Sequence, residues 1–330
     1  MDVAGFLRRS NVLVVSGKGG VGKTTASAAL AMLAARAGLD VLLVALDDPG
    51  ALGSLFSYSG EFSYDDVVLA PGNPVNDDGA VEGETVPGRI RARVLTSDAA
   101  LLDYLDTHGL KRVTARLVRA RALDVVATAI PGIRSVLVLG KIRQLEESNT
   151  ADLIIVDAPA TGHAFSFLSS AGGLAEAARG GPLHVQAEQV AAMVTDPSRL
   201  EVVVVTIPEE MPVNEAVETA FRLEDEIGVT LGPVLVNACY PELDHLTEDP
   251  AKAAEEAGVA DTDPELLTRL GLAAGFRRGR QSLQSAEIER LKEHLPLERI
   301  ELPYLFVDSI GEAELGILAD AIASGIMALS

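Results

Sequence analysis

A chain of 330 residues, 48% of them hydrophobic, can bury one large α/β core, and we expect a single domain over 1–330. Its net charge of −21 repels phosphate backbones and anionic lipid head groups, which argues against nucleic acid as a partner and against a membrane-surface role. The single cysteine, Cys239, excludes a disulfide framework, a Cys-x-x-Cys zinc site and iron–sulfur ligation within the chain.

The first ten residues hold too few apolar side chains for a signal peptide, and the apolar runs further on have strand length rather than membrane-span length. A cytoplasmic protein without direct membrane insertion is expected. Asn11–Ser16 predicts the first strand, and Lys23–Ala37 a helix stopped by Gly38. Between them lies Gly17-Lys18-Gly19-Gly20-Val21-Gly22-Lys23-Thr24-Thr25, a G-x-x-x-x-G-K-T phosphate-binding loop. Glycines there let backbone N–H groups gather on phosphate oxygens, and the helix that follows adds its positive end. Lys23 supplies a charge for the β- and γ-phosphates, and the Thr24 hydroxyl a ligand for Mg²⁺. Lys18 is the departure from an ordinary loop of this type: it is either a solvated lysine or one that faces a nucleotide, its own or that of a facing subunit.

Val41–Ala45 predicts a second buried strand that delivers Asp47, Asp48 and Pro49 to the carboxyl edge of a sheet, where α/β proteins bind ligands. Either aspartate could orient water or contact Mg²⁺ while the other caps the turn. Tyr64–Gly88, rich in Asp, Gly and Pro, predicts a long surface loop before a short strand at Arg89–Leu95, and 98–148 a helical layer or subdomain. Asp152–Val156 is a buried strand that delivers Asp157, whose expected role is to hold Mg²⁺ through water, followed by Pro159, Thr161, Gly162 and His163 in a loop able to move with the γ-phosphate. Further strands are expected at Glu201–Thr206, Gly232–Asn237 and Arg299–Leu302, with helices at Asn214–Ile227, over most of Asp249–Leu295, and at Glu312–Ala328. The basic run Arg277-Arg278-Gly279-Arg280 is read as a solvated helix end. Alternating strands and helices give a doubly wound, mostly parallel sheet.

The phosphate-side motifs carry a family resemblance. Gly17–Thr24 resembles the deviant Walker A loop of the large P-loop class that includes ParA, MinD, nitrogenase iron protein and the ArsA-type ATPases. Asp157-Ala158-Pro159-Ala160-Thr161-Gly162-His163 narrows it to the ArsA type, whose second switch reads D-x-A-P-T-G-H or close to it. Val205–Glu209 with Glu215, the strand end at Asn237, and Leu302-Pro303-Tyr304 are similar to later motifs of the same branch.

The resemblance implies Mg·ATP hydrolysis that drives opening and closing of a dimer, either a homodimer or a heterodimer with a paralogous chain, in the service of a protein client. It implies that Lys18 reaches the nucleotide of the facing subunit, that Thr24 ligates Mg²⁺ and Asp157 holds its water shell, and that Asp48 is the hydrolytic aspartate. It also implies that Asn237 and Pro303 flank adenine with Glu215 near the base or ribose. The first switch reads Leu46-Asp47-Asp48-Pro49-Gly50-Ala51 where the family pattern is S-T-D-P-A-H, a change that bears on hydrolysis rate. The cysteines of an arsenite site and of a zinc bridge are missing, and five methionines are too few for a Met-rich groove. Two other classes share a P-loop: a ligase that activates a small acid with ATP, and a positioning ATPase on DNA or membrane, which the net charge disfavours.

Overall fold

The computed structural model describes residues 2–72, 88–107, 109, 132–178, 180–243, 246–259 and 262–329. The elements, in chain order, are α1 Val3–Leu7, β1 Val12–Gly17, α2 Lys23–Arg36, β2 Val41–Leu46, α3 Leu52–Leu55, β3 Val67–Ala70, β4 Ile90–Leu95, α4 Ser97–Thr107 and α5 Ile133–Glu147. They continue with β5 Leu153–Asp157, α6 Thr161–Ala177, α7 Pro182–Val194, β6 Leu200–Thr206, α8 Glu210–Arg222, β7 Thr230–Leu231, β8 Val234–Cys239, α9 Pro250–Glu256, α10 Pro264–His294, β9 Arg299–Pro303 and α11 Glu312–Ala328.

The strands form one sheet in the order β3-β4-β2-β5-β1-β6-β8-β9, with β7 alongside β6. Every pairing is parallel except β3 with β4. The central strands read as unbroken apolar runs because helices cover both faces, so no residue of β1 or β6 faces water. Leu13, Val15, Leu43 and Ile155 turn towards α1, α2 and α11. Val12, Val14, Leu42, Val44 and Ile154 turn towards α4, α5, α6 and α7. The alternation along each strand sets this division, and α2 can approach closely because its buried face is mostly alanine.

The mostly parallel doubly wound sheet expected from the sequence is present, with strand ends shifted by a residue or two. Two expectations need correction, the loop over Tyr64–Gly88 and the start of the helix at Asn214. Within Tyr64–Gly88, Val67–Ala70 is not loop but an antiparallel edge strand on β4; residues 73–87 lie outside the described residues. Of the helical layer or subdomain expected over 98–148, the described parts, α4 and α5, pack directly on the sheet, while residue 108 and residues 110–131 lie outside the described residues. The helix expected from Asn214 starts earlier, at Glu210, and passes into a π-helical turn over Leu223–Ile227 that ends at Gly228, φ +81°. Over 249–295, expected to be mostly helix with breaks, α9 and α10 are separate helices, and α10 itself runs through Gly271, Gly275 and Gly279 uninterrupted.

Candidate functional site

β1 sits between β5 and β6, so its carboxyl end opens into the middle of the sheet edge, flanked by Asp157 on one side and Val205 on the other. Gly17 has φ +154°, and a Cβ there would lie 2.2 Å from the Val205 carbonyl oxygen, so only glycine lets the loop leave the strand here. Gly20 (φ +86°) and Gly22 (φ +92°) turn the chain back into α2. Gly19 and Gly20 have open space where a side chain would be, so the outer side of the loop is clear for an incoming anion. Gly22 caps α2 without a side-chain bond, which leaves the first-turn N–H groups of Lys23, Thr24 and Thr25 and the positive end of the helix available to phosphate.

The Lys23 ammonium folds back over this loop and donates to the Lys18 carbonyl at 3.2 Å. Burial holds its pKa below the usual lysine value, against the pull of Asp157 and Glu215. The Thr24 hydroxyl donates to Asp157 Oδ2 at 2.6 Å, which joins the first turn of α2 to the end of β5. Burial raises the Asp157 pKa above the ordinary carboxylate range, with the Thr24 bond and Lys23 opposing it. Asp157 Oδ1 and Ser27 Oγ are buried without a hydrogen-bond partner among the described residues.

An orphaned carboxylate oxygen beside a threonine hydroxyl, both at the mouth of a phosphate loop, fits Mg²⁺. That ion keeps several waters and is bound through one or two protein oxygens plus substrate phosphates. No group of three or more His, Cys, Asp or Glu that could hold a metal ion occurs among the described residues.

Lys18 is partly exposed but is not an unpaired surface lysine. Its ammonium pairs with Glu215 Oε2 at 3.0 Å, linking the loop to α8, and both side chains are one-third exposed. Asn237, one residue beyond the middle of β8, donates its amide to the Val21 carbonyl at 2.8 Å. The same amide nitrogen stands 2.3 Å from where a Gly22 Cβ would be, so Asn237 braces the loop from behind and requires glycine there. Pro303 ends β9 opposite Cys239, and the next N–H, of Tyr304, donates to the Cys239 carbonyl at 2.7 Å. Glu215, Asn237 and Pro303 therefore all stand along the carboxyl edge, on the β6–β9 side of the loop.

The two switch segments stand on the other side, after β2 and β5. Asp47 is exposed in a left-handed conformation, φ +64°, and its N–H donates to the Leu95 carbonyl at 3.0 Å. Asp48 Oδ1 accepts from Gly50 N–H at 2.9 Å, so Asp48 is the aspartate that caps the turn containing Pro49. Thr161, Gly162 and His163 are not loop: they form the first turn of α6, with His163 N–H donating to the Ala160 carbonyl at 2.8 Å. Gly162 and His163 are exposed there, and Pro159 is half-buried between Asp157 and the helix.

Sequence reasoning missed one cluster on this edge. Arg277, far from the glycine loop in sequence, stacks 4.2 Å from the Tyr240 ring centre and 4.8 Å from that of Phe306, and donates to the Pro241 carbonyl at 2.8 Å. Tyr240, Tyr304 and Phe306 contact one another with ring centres 4.7–5.5 Å apart. Arg280 pairs with Glu209 at 3.3 Å, and Arg278 donates to the Leu246 carbonyl at 2.9 Å. The basic run is thus not a solvated helix end but a set of bolts that ties the middle of α10 to the ends of β8 and β9. The signal available was the placement of Tyr240 and Tyr304 just beyond predicted strand ends.

Comparison with known proteins agrees with this geometry. Residues 12–220 match the family model described as the CobQ/CobB/MinD/ParA nucleotide binding domain. The chain is 32% identical to ATPase BagA of Mycobacterium tuberculosis over 309 residues, covering 88% of this chain and 86% of that protein. It is 27% identical over 274 residues to ATPase ARSA1 of Chlamydomonas reinhardtii, covering 68% of this chain and 34% of the relative. With ATPase GET3C of Arabidopsis thaliana it shares 29% identity over 161 residues, 47% of this chain and 40% of the relative. The matched segment spans the glycine loop, Thr24, Asp157 and Glu215, and no helix among the described residues is long and apolar enough to cross a membrane. The chain therefore belongs to the CobQ/CobB/MinD/ParA nucleotide-binding family and, within it, to the ArsA-like P-loop ATPases.

Proposed function

We propose that this chain hydrolyses Mg·ATP as one of two facing copies and that the cycle of closing and opening acts on a protein client rather than on arsenite. The observation that carries the reading is the Thr24–Asp157 contact at the mouth of the glycine loop, which brings both Mg²⁺-side oxygens together before any nucleotide arrives. In this account Gly17–Thr25 would hold the phosphates, Lys23 would leave the Lys18 carbonyl for the β- and γ-phosphates, and Thr24 and Asp157 would hold a Mg²⁺ ion that would supply charge neutralisation. Asp47, exposed and strained, is free to turn towards attacking water, whereas Asp48 must first release the Gly50 amide.

The Lys18–Glu215 pair supports a role for Lys18 outside its own site. At one-third exposure such a pair contributes about 1 kcal/mol or less, so a facing subunit's phosphate can displace Glu215 at little cost. Against arsenite stands the thiol inventory: Cys239 is the only cysteine, it is buried, and burial next to Glu301 pushes its pKa up to about 12, which disfavours thiolate ligation. The resemblance of Gly17–Thr24 and Asp157–His163 to the ArsA type supports the client reading.

The test is titration of ATP into wild type and Lys23→Ala in Mg²⁺, followed by phosphate release. Binding and turnover by wild type, both lost in Lys23→Ala, are expected. A Lys23→Ala chain that binds ATP as well as wild type overturns the reading, and turnover that requires a small carboxylic acid points instead to a ligase.

A further inference from the structure

We propose that an exposed stripe of α10 pairs antiparallel with the same stripe of a second copy of this chain, an inference that rests on the two-copy reading above but adds a contact away from the nucleotide. α10 is 31 residues long, yet only Gln284 and Leu291 are buried. Its inner face is fixed by Arg277, Arg280, Gln284 and Leu291, which bond to or pack against the ends of β8 and β9 and the start of α8. A different line along the helix carries Leu272, Phe276, Gly279 and Leu283, spaced four, three and four residues apart. Leu272, Phe276 and Leu283 are 71%, 70% and 62% exposed. A helix anchored on one face cannot roll to bury another, so this stripe needs a partner from outside.

The glycines identify the partner. Gly275 and Gly279 stand in the interior of α10, where glycine is the poorest residue short of proline, and a Cβ at either position would meet nothing within 4 Å. Nothing in the packing of the described residues calls for them. An antiparallel two-fold supplies the reason. The stripe reads with the same spacing from either end, so Leu272 meets the partner's Leu283, and Phe276 falls on the partner's Gly279, a large side chain into the gap left by a missing one. A parallel pairing would set Phe276 against Phe276 and glycine against glycine.

In the same register, on one side of the stripe, Glu265 comes opposite the partner's Arg290, and Arg269 lies one residue out of step with the partner's Glu287. Within one chain these charges pair as Glu265–Arg269 and Glu287–Arg290, so each end of the contact is neutral and no like charges are brought together. The other side carries Thr268, Gly275, Ser282 and Ala286, small and uncharged, which lets two backbones come close.

Cysteine trapping tests it. In the full chain, Leu272→Cys with Leu283→Cys places two thiols about 16 Å apart along one helix. A disulfide spans at most about 7 Å between Cα atoms, so any bridge between them is intermolecular. Both positions are exposed, and Cys239 is buried and serves as its own control. Mild oxidation is expected to convert most of the double variant to a covalent dimer on a non-reducing gel, while wild type and each single variant remain single chains. Adding Gly279→Leu to the double variant should lower the dimer yield at least fivefold. Equal bridging in single and double variants, a double variant that stays single-chain, or no effect of Gly279→Leu overturns the pairing. Phosphate release by the same samples separates the two claims: turnover without bridging sinks the pairing alone, and bridging without turnover supports the pairing while sinking the ATPase reading.

Discussion

Replacing Gly17 and Gly20 separately by alanine distinguishes two reasons for glycine in the phosphate loop. At Gly20 the added methyl meets open space, so the only penalty is φ +86°, about 1–2 kcal/mol for a left-handed alanine. At Gly17 the conformation, φ +154°, carries a similar penalty, and the methyl also lands 2.2 Å from the Val205 carbonyl oxygen, about 1 Å inside contact distance. That oxygen is sheet backbone paired in register with Gly17 and cannot swing away, so overpacking adds about 2–3 kcal/mol. Gly17→Ala should therefore cost about 3–5 kcal/mol in all. In a chain of this size about 2 °C of melting temperature is lost per kcal/mol, so Gly17→Ala should melt roughly 5 °C below Gly20→Ala. Binding should rank differently: Gly20→Ala folds well, but its methyl fills the open side of the loop, so its melting temperature should rise less on adding Mg·ATP than that of wild type. Calorimetric melts with and without Mg·ATP measure both. Equal melting temperatures for the two apo variants would refute the steric account of Gly17.

Asn237→Ala removes the donor to the Val21 carbonyl, worth about 1 kcal/mol, and titration calorimetry should find ATP affinity down by roughly fivefold, with Asn237→Asp, which cannot donate, at least as weak. An unchanged affinity in both would return Asn237 to a passive position. Asp157 gives a pH signature. Its folded pKa is raised by burial above that of an ordinary aspartate, so the nucleotide-free fold is penalised once pH exceeds the unfolded carboxylate's pKa, and the penalty grows until the folded pKa is passed. Asp157→Asn lacks that penalty, so the melting-temperature difference between variant and wild type should become more favourable to the variant from pH 4 to pH 7, while Mg²⁺-dependent turnover disappears. A difference that does not change with pH contradicts the assignment of burial as the dominant cause.

The parts of this molecule that are legible in the sequence are those set by short-range chemistry. Apolar runs of strand length followed by Gly17 or Asp157 place β1 and β5, and the spacing from Gly17 to Thr24 specifies the loop because each residue type there answers a local steric or electrostatic need. Asp47 and Asp48, with Pro49 and Gly50 after them, announce a capped turn, and the structure assigns the cap to Asp48. What the sequence withholds depends on residues distant in the chain. The Lys18–Glu215 and Asn237–Val21 contacts join segments about two hundred residues apart, and no pattern near Lys18 or Asn237 encodes them. Thr161–His163 read as loop because glycine and proline are close by, yet α6 begins there, since Pro159 precedes the first turn and Gly162 is tolerated within it. The edge strand Val67–Ala70 is only four residues long, half-exposed and set within an Asp-rich stretch, so its pairing with β4 rather than its composition defines it. The arginines of α10 read as solvated because charge runs usually are; here two rings, two backbone carbonyls and one carboxylate hold them.

The central claim, that Lys18 acts on the nucleotide of a facing copy, is tested most directly by mixing two inactive chains. Lys18→Ala keeps Lys23 and should bind ATP without hydrolysing it; Lys23→Ala keeps Lys18 and should bind none. In a mixed pair the second chain lends its Lys18 to the ATP held by the first. The account predicts that the mixture recovers part of the wild-type phosphate release while neither variant alone does, and a mixture as inactive as its components contradicts it.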